Sequence, residues 1–166
     1  MQKIEQEACL GKAKQSRLAF KVMAVASGGG HWDELMLLKS GIAQYAPIFV
    51  TTIPGLALRD HVSNVEIVPD SNRDQPFEAL RCFVAAFSLV RAHRPDVLVT
   101  TGALPGLFCL IWARLFGART VWVDSIANSD GPSLSGRFAK PFAHLWLTQW
   151  EHLADGKAMR FGGAVL

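Results

Sequence analysis

The chain has 166 residues, half of them apolar and 19% charged, with a formal charge of +3 when the histidines are neutral. That length suits one domain and excludes a second full one, and a mild, scattered positive charge leaves no footprint for nucleic acid. Cys9, Cys82 and Cys109 are far apart in sequence and match no disulfide framework or zinc spacing, so a reducing cytoplasm is expected and neither metal nor cofactor is called for.

Residues 1–19 read as an N-terminal arm or amphipathic helix. Charges interleave throughout it, so no secretory signal is read there. Lys12, Lys14, Arg17 and Lys21 form a basic cluster that suits solvent or an anionic membrane surface. From residue 20 to 166, short β-rich runs alternate with longer helical stretches. This is the pattern of a single α/β domain, a Rossmann-like open parallel sheet with helices on both faces.

Residues 20–26 (FKVMAVA) are the first predicted strand, closed by Ser27-Gly28-Gly29-Gly30. Residues 31–45 then carry Leu35, Leu38 and Ile42 at helical spacing. Strands follow at 47–52 and 65–68, and a long helix at 75–93, with the polar stretch DSNRDQP as the loop before it. A fourth strand at 97–100 leads into the turn TTGALPG and an almost wholly apolar helix over 107–116, which belongs inside something. A fifth strand at 120–124 precedes a surface loop over 125–135, rich in Ser, Asn, Asp, Gly and Pro. A helix near 136–142 and a strand at 144–148 complete the sheet, and the tail FGGAVL is given no element.

The motif SGGGH stands between a strand and a helix, where backbone N–H groups can face an anion without side-chain obstruction. It lacks the spacing of a dinucleotide fingerprint and the ending of a P-loop. A plain strand-to-helix turn is the alternative reading. His31 is the candidate base, because the positive end of the helix dipole favours a neutral ring able to accept a proton. Asp33 and Glu34 read as charges that complement the dipole rather than as site carboxylates. In an open parallel sheet, ligands sit at the carboxyl ends of the strands. Thr100, Thr101, Gly102 and Gly106 after the fourth strand, and Asp124 and Ser125 after the fifth, therefore fall at the same edge as Gly29 and His31. An acidic residue there, Asp124, could orient a sugar hydroxyl or take a proton.

SGGGH, TTGALPG, and VDSIANSDGPSLSGRF followed by LTQWEHL together resemble the asparagine-linked glycosylation protein fourteen family over about residue 21 to the C-terminus. The resemblance implies the N-terminal half of a GT-B glycosyltransferase, similar in architecture to the enzyme that adds N-acetylglucosamine to the lipid-linked peptidoglycan precursor. It implies a two-component inverting transferase. This chain would supply the acceptor side and membrane recruitment at the inner face of the membrane. A separate donor-binding subunit would share a nucleotide-sugar, expected to be UDP-linked, across the cleft with a polyprenyl-diphosphate-linked sugar acceptor.

Carried over by position, Gly28, Gly29, Gly30 and His31 line the cleft and Thr101, Gly102, Pro105 and Gly106 form the neighbouring loop, with Asp124 and Ser125 where related sequences tend to have a Glu-Ser pair. The membrane-spanning helix of eukaryotic members is not read in residues 1–19, which fits a bacterial member serving capsule or exopolysaccharide assembly. Two other readings stand beside this one: a non-catalytic recruiting scaffold, and a self-sufficient small nucleotide-binding enzyme.

Overall fold

The computed structural model describes residues 20–71 and 74–164; the arm expected over 1–19 lies outside them. β1 (Val22–Val25), β2 (Ile48–Thr51), β3 (Val65–Ile67), β4 (Val97–Thr100), β5 (Arg119–Val123), β6 (Leu145–Thr148) and β7 (Met159–Phe161) form one sheet in the order β3-β2-β1-β4-β5-β6-β7. Every neighbouring pair is parallel. The helices are α1 (Gly30–Ile42), α2 (Leu56–Arg59), α3 (Pro76–His93), α4 (Ala103–Leu115) and α5 (Leu134–Ala139). This is the doubly wound α/β architecture expected of the sequence.

Period-two alternation distributes the strand residues between two cores. Met23 and Val25 of β1 join Val50, Leu98, Trp122, Trp146 and Met159 on one face. There they pack under Ala86 and Val90 of α3, Leu107, Cys109, Leu110 and Ala113 of α4, and Ala139 of α5. Ala24 and Ala26 join Phe49 on the other face, under Trp32 and Leu35 of α1. β1 is buried on both faces, as its uninterrupted apolar run requires. Gly106 brings α4 close to the sheet, because a Cβ there would stand 2.1 Å from Thr100 Oγ1.

α4 and β7 differ from expectation. α4 starts at Ala103 rather than at 107, because Pro105 sits in the first helical turn, where its missing N–H costs nothing. The apolar run of this helix is spent inside the protein, on the sheet and on the α3 aromatics: Trp112 lies 4.8 Å from both Phe83 and Phe87, centroid to centroid. Phe161, read as tail, belongs to β7. That strand begins where Asp155 Oδ1 accepts from the N–H groups of Lys157, Ala158 and Met159. These three bonds hold the Asp155 carboxyl below the usual carboxylate range, Met159 contributing most.

Candidate active site

The carboxyl ends of β1, β4 and β5 bring the three sequence motifs to one edge. The first motif turns through Gly29 at φ 72°, and its first helical residues are Gly30 and His31. Gly29 and Gly30 are exposed, and no atom lies within 4 Å of where a side chain on either would begin. The surface at the start of α1 is therefore open, at the end of the helix that attracts anions. Gly28 sits closer in, its N–H bonded to Thr52 Oγ1 at 3.1 Å.

His31 is fixed by the second motif. Its Nδ1 lies 2.9 Å from the carbonyl oxygen of Thr101, and Thr101 Oγ1 donates to the carbonyl of His31 at 2.6 Å. A carbonyl has no proton to give, so Nδ1 carries the hydrogen and Nε2 is left as the acceptor nitrogen. Gly102 makes room for the ring: it sits at φ 128°, and a Cβ on it would come 2.9 Å from His31 Cε1. The next residue, Ala103, holds φ 62°, a left-handed conformation that an L-residue adopts at some cost. Thr101, Gly102, Pro105 and Gly106 are themselves buried, so they stand behind the surface that Gly29, Gly30 and His31 present.

The third motif is a self-bonded loop. Asp124 is 3% exposed; its Oδ1 accepts from Asn128 Nδ2 and its Oδ2 from Ser133 N, both at 3.2 Å. The QWEH segment fastens the same loop from the side. Gln149 Nε2 donates to the carbonyl of Asp124, Trp150 Nε1 to that of Ile126 at 2.8 Å, and His152 Nε2 to that of Ser129 at 2.8 Å. Ser133 caps α5 by accepting from Gly136 N.

Sequence reasoning missed Glu34. It is not an exposed dipole charge but a carboxylate only 6% exposed. Its Oε1 accepts from Ser125 Oγ at 2.7 Å and from Ile126 N at 3.0 Å, while Oε2 is buried without a partner. It ties the loop after β5 to the helix that carries His31. Asp33 does match the expectation of a solvent-side charge and pairs with Arg59. Arg59 also bonds Asp60, which together with the indole N–H of Trp32 holds the Asp60 carboxyl below the usual carboxylate range.

A parallel sheet of this order with its glycine turn at the carboxyl edge is a Rossmann-like domain of the kind that forms the N-terminal half of GT-B glycosyltransferases. MurG from Acinetobacter baumannii superposes with a TM-score of 0.70 at 15% identity, covering 86% of this chain and 45% of its own. A UDP-N-acetylglucosamine 2-epimerase from Rickettsia bellii gives 0.66 at 11% identity, covering 89% and 45%. At such identities the likeness concerns the fold alone, and it does not choose between transfer and epimerisation.

The sequence shows the family. Residues 61–165 match the family described as oligosaccharide biosynthesis protein Alg14 like, and the chain belongs to it. A UDP-N-acetylglucosamine transferase subunit ALG14 from Eremothecium gossypii is 36% identical over 100 residues, 52% of this chain and 45% of the relative. The chain thus spans less than half the length of that relative. The family match takes in TTGALPG, the β5 loop and the QWEH segment, while the glycine turn precedes it.

Proposed function

We propose that this chain, through its 20–166 domain, is the acceptor-side subunit of a two-polypeptide inverting glycosyltransferase, with His31 as general base. The donor would be UDP-N-acetylglucosamine, the sugar nucleotide in the names of its curated relatives, and the acceptor a polyprenyl-diphosphate-linked sugar. The observation that carries the reading is the His31 tautomer. The Thr101 carbonyl holds Nδ1–H and leaves Nε2 bare beside an open glycine turn.

In the reaction, Nε2 takes the proton of the acceptor hydroxyl as its oxygen bonds to the anomeric carbon. The bond from that carbon to the diphosphate oxygen breaks, and UDP leaves with the electron pair. The N–H groups at Gly29 and Gly30 would face the diphosphate of one substrate. Thr101, Gly102, Pro105 and Gly106 hold the ring and its loop. Ser125, with Glu34, holds the adjoining loop, and Asp124 is the second candidate base.

Placement at an anionic inner leaflet is part of the same proposal. Among the described residues no helix is long and apolar enough to cross a membrane. The exposed side of α3 nevertheless carries Phe77, Leu80 and Val84, 82%, 60% and 54% exposed, with Arg81 and Arg91. α3 leaves the carboxyl edge of the sheet, so its apolar first half lies toward the end that would meet a lipid-linked substrate.

The test is transfer from UDP-N-acetylglucosamine to a polyprenyl-diphosphate acceptor, with and without candidate donor-binding polypeptides. The isolated chain is expected to be inactive. In the assembled complex His31→Ala should lower turnover about 10²- to 10⁴-fold, the usual contribution of a placed base, with partner binding intact. His31→Gln should be no better, because it lacks basicity. Turnover within a few-fold of wild type for His31→Ala would move the role of base to Asp124; tolerance of both His31→Ala and Asp124→Asn would leave a recruiting scaffold.

A further inference from the structure

The chain has five tryptophans. Trp32, Trp122 and Trp146 are buried in the two cores, and Trp112 packs among the aromatics of α3. Trp150 belongs to neither core. It is partly exposed just past the carboxyl end of β6, on the edge that carries His31. Its ring neighbour among the described residues is His152, itself exposed, with the centroids 5.8 Å apart and the planes inclined at 57°. An indole is normally withdrawn from water over most of its area, so one left outside both cores has a face available to something else.

Both rings are fixed in place. The Trp150 indole N–H donates to the carbonyl of Ile126 and His152 Nε2 to that of Ser129, each at 2.8 Å, while Thr148 Oγ1 accepts from the Trp150 backbone N–H at 3.1 Å. The Ile126 peptide is held from its other side as well, because its N–H donates to Glu34 Oε1 at 3.0 Å. Glu34 stands one helical turn after His31 on α1. One loop residue therefore ties the indole to the helix that carries the candidate base. With their polar hydrogens committed to the loop, the two rings have their faces left to offer. Rigid apolar faces held before a ligand arrives lose little freedom when it binds.

We infer that Trp150 and His152 form the platform on which a pyranose of the acceptor rests, with the C–H face of the sugar against the two inclined rings. The inference rests on the acceptor-side reading above and adds which side chains grip the sugar. The geometry separates this ligand from its rivals. A planar nucleobase would stack on one ring and gain little from a second inclined at 57°. A phosphate would meet Glu151, exposed between the two rings in sequence, whose charge has the repelling sign. A neutral, puckered ring with C–H groups on one side and hydroxyls around its rim meets neither objection.

The experiment resolves acceptor KM, donor KM and kcat in the assembled complex for four variants that separate ring from hydrogen bond. Trp150→Leu removes both, and His152→Gln removes the ring but keeps a donor for Ser129. Each should raise acceptor KM about three- to tenfold, the size of one aromatic contact, with donor KM unchanged. Trp150→Phe and His152→Phe keep a ring and lose the bond, and should bring acceptor KM back to within about twofold of wild type. Rings that only fasten the loop would give the opposite order, with His152→Gln rescued and both Phe variants impaired. That order overturns the inference, as does an acceptor KM unmoved by Trp150→Leu or His152→Gln. If Trp150→Leu lowers Tm, the two His152 variants decide. A second arm needs no partner. In saturation-transfer NMR on the full isolated chain, methyl N-acetylglucosaminide should receive magnetisation from aromatic protons, and the signal should be lost in both Trp150→Leu and His152→Gln. No signal in wild type, or a signal kept in either variant, overturns the inference. Failure of every polypeptide to restore transfer would instead sink the two-subunit reading and leave the NMR arm to decide the platform.

Discussion

The turn after β1 and the loop after β5 share one edge of the sheet, yet their polar groups are disposed in opposite ways. In the first, Gly29 and Gly30 face open space and His31 keeps one ring nitrogen free. In the second, Asn128 and the Ser133 N–H donate to the Asp124 carboxylate, and Gln149, Trp150 and His152 donate to the loop backbone. Groups whose hydrogen bonds are already made have little left for a ligand, and groups left open at a rigid helix end are available to one. Under the proposed function, that difference puts the chemistry in the first region and support in the second.

The sharpest way to break that assignment is Gly102→Ala, which touches the first region from behind. The new methyl meets the His31 ring and occupies φ 128°, so the ring must move. Displacing a reacting group by about 1 Å can cost roughly 10²-fold, and that is the loss of turnover expected in the assembled complex. Wild-type turnover would show that the position of the ring does not matter.

Effects in the second region should appear in stability instead. Glu34→Ala strands the buried Ser125 hydroxyl and Ile126 N–H, an expected loss of about 1–3 kcal/mol in urea unfolding, with Glu34→Gln milder because its carbonyl still accepts both. Gly136→Ala would press a methyl to 2.7 Å from Asp124 Oδ2, 2.8 Å from Ser133 Oγ and 3.0 Å from Trp122 Nε1. About 1–2 kcal/mol of overpacking is expected, read in the same way. Gly28→Ala is the contrast. Its methyl would overlap only the Ile53 side chain, itself 45% exposed and free to swing away, so Tm should barely move.

The smallest effect concerns His144, at the opposite end of the sheet. Burial, then Arg114 and Arg119, push its imidazole below the ordinary value of 6.5. The native state therefore binds this proton less readily than the unfolded chain, and the contribution is present above about pH 6.5 and lost as the pH falls below it. A slight fall in Tm between pH 7 and 5.5, reduced in His144→Gln, is expected. A rise would reverse the sign.

Much of this was legible in the chain. The apolar runs VMAV, IFVT and VLVT leave little choice but strands, and three glycines followed by histidine fix where a strand becomes a helix. What escaped depended on distant partners. Glu34 in a first helical turn looks like any dipole-complementing acid until Ser125, 91 residues away, is brought against it. Pro105 reads as a turn residue, and only the packing of Gly106 on Thr100 reveals that the helix has already begun. β7 has three residues and a weak apolar signal, and it exists because Asp155 gathers the N–H groups ahead of it.

The pairing of β1 with β4 also sets an order of events. Val22 must find Val97 and Val25 must find Thr100, although about half of the described chain lies between them. Contacts of such sequence separation are slow to form, because the intervening loop must be closed before they reward it. On the ribosome, β1 can add β2 and β3 as they emerge, but its other edge stays unpaired until residue 100 has left the exit tunnel. For that interval the most apolar strand of the protein is an open edge, the condition in which a nascent chain is prone to aggregate or to need a chaperone.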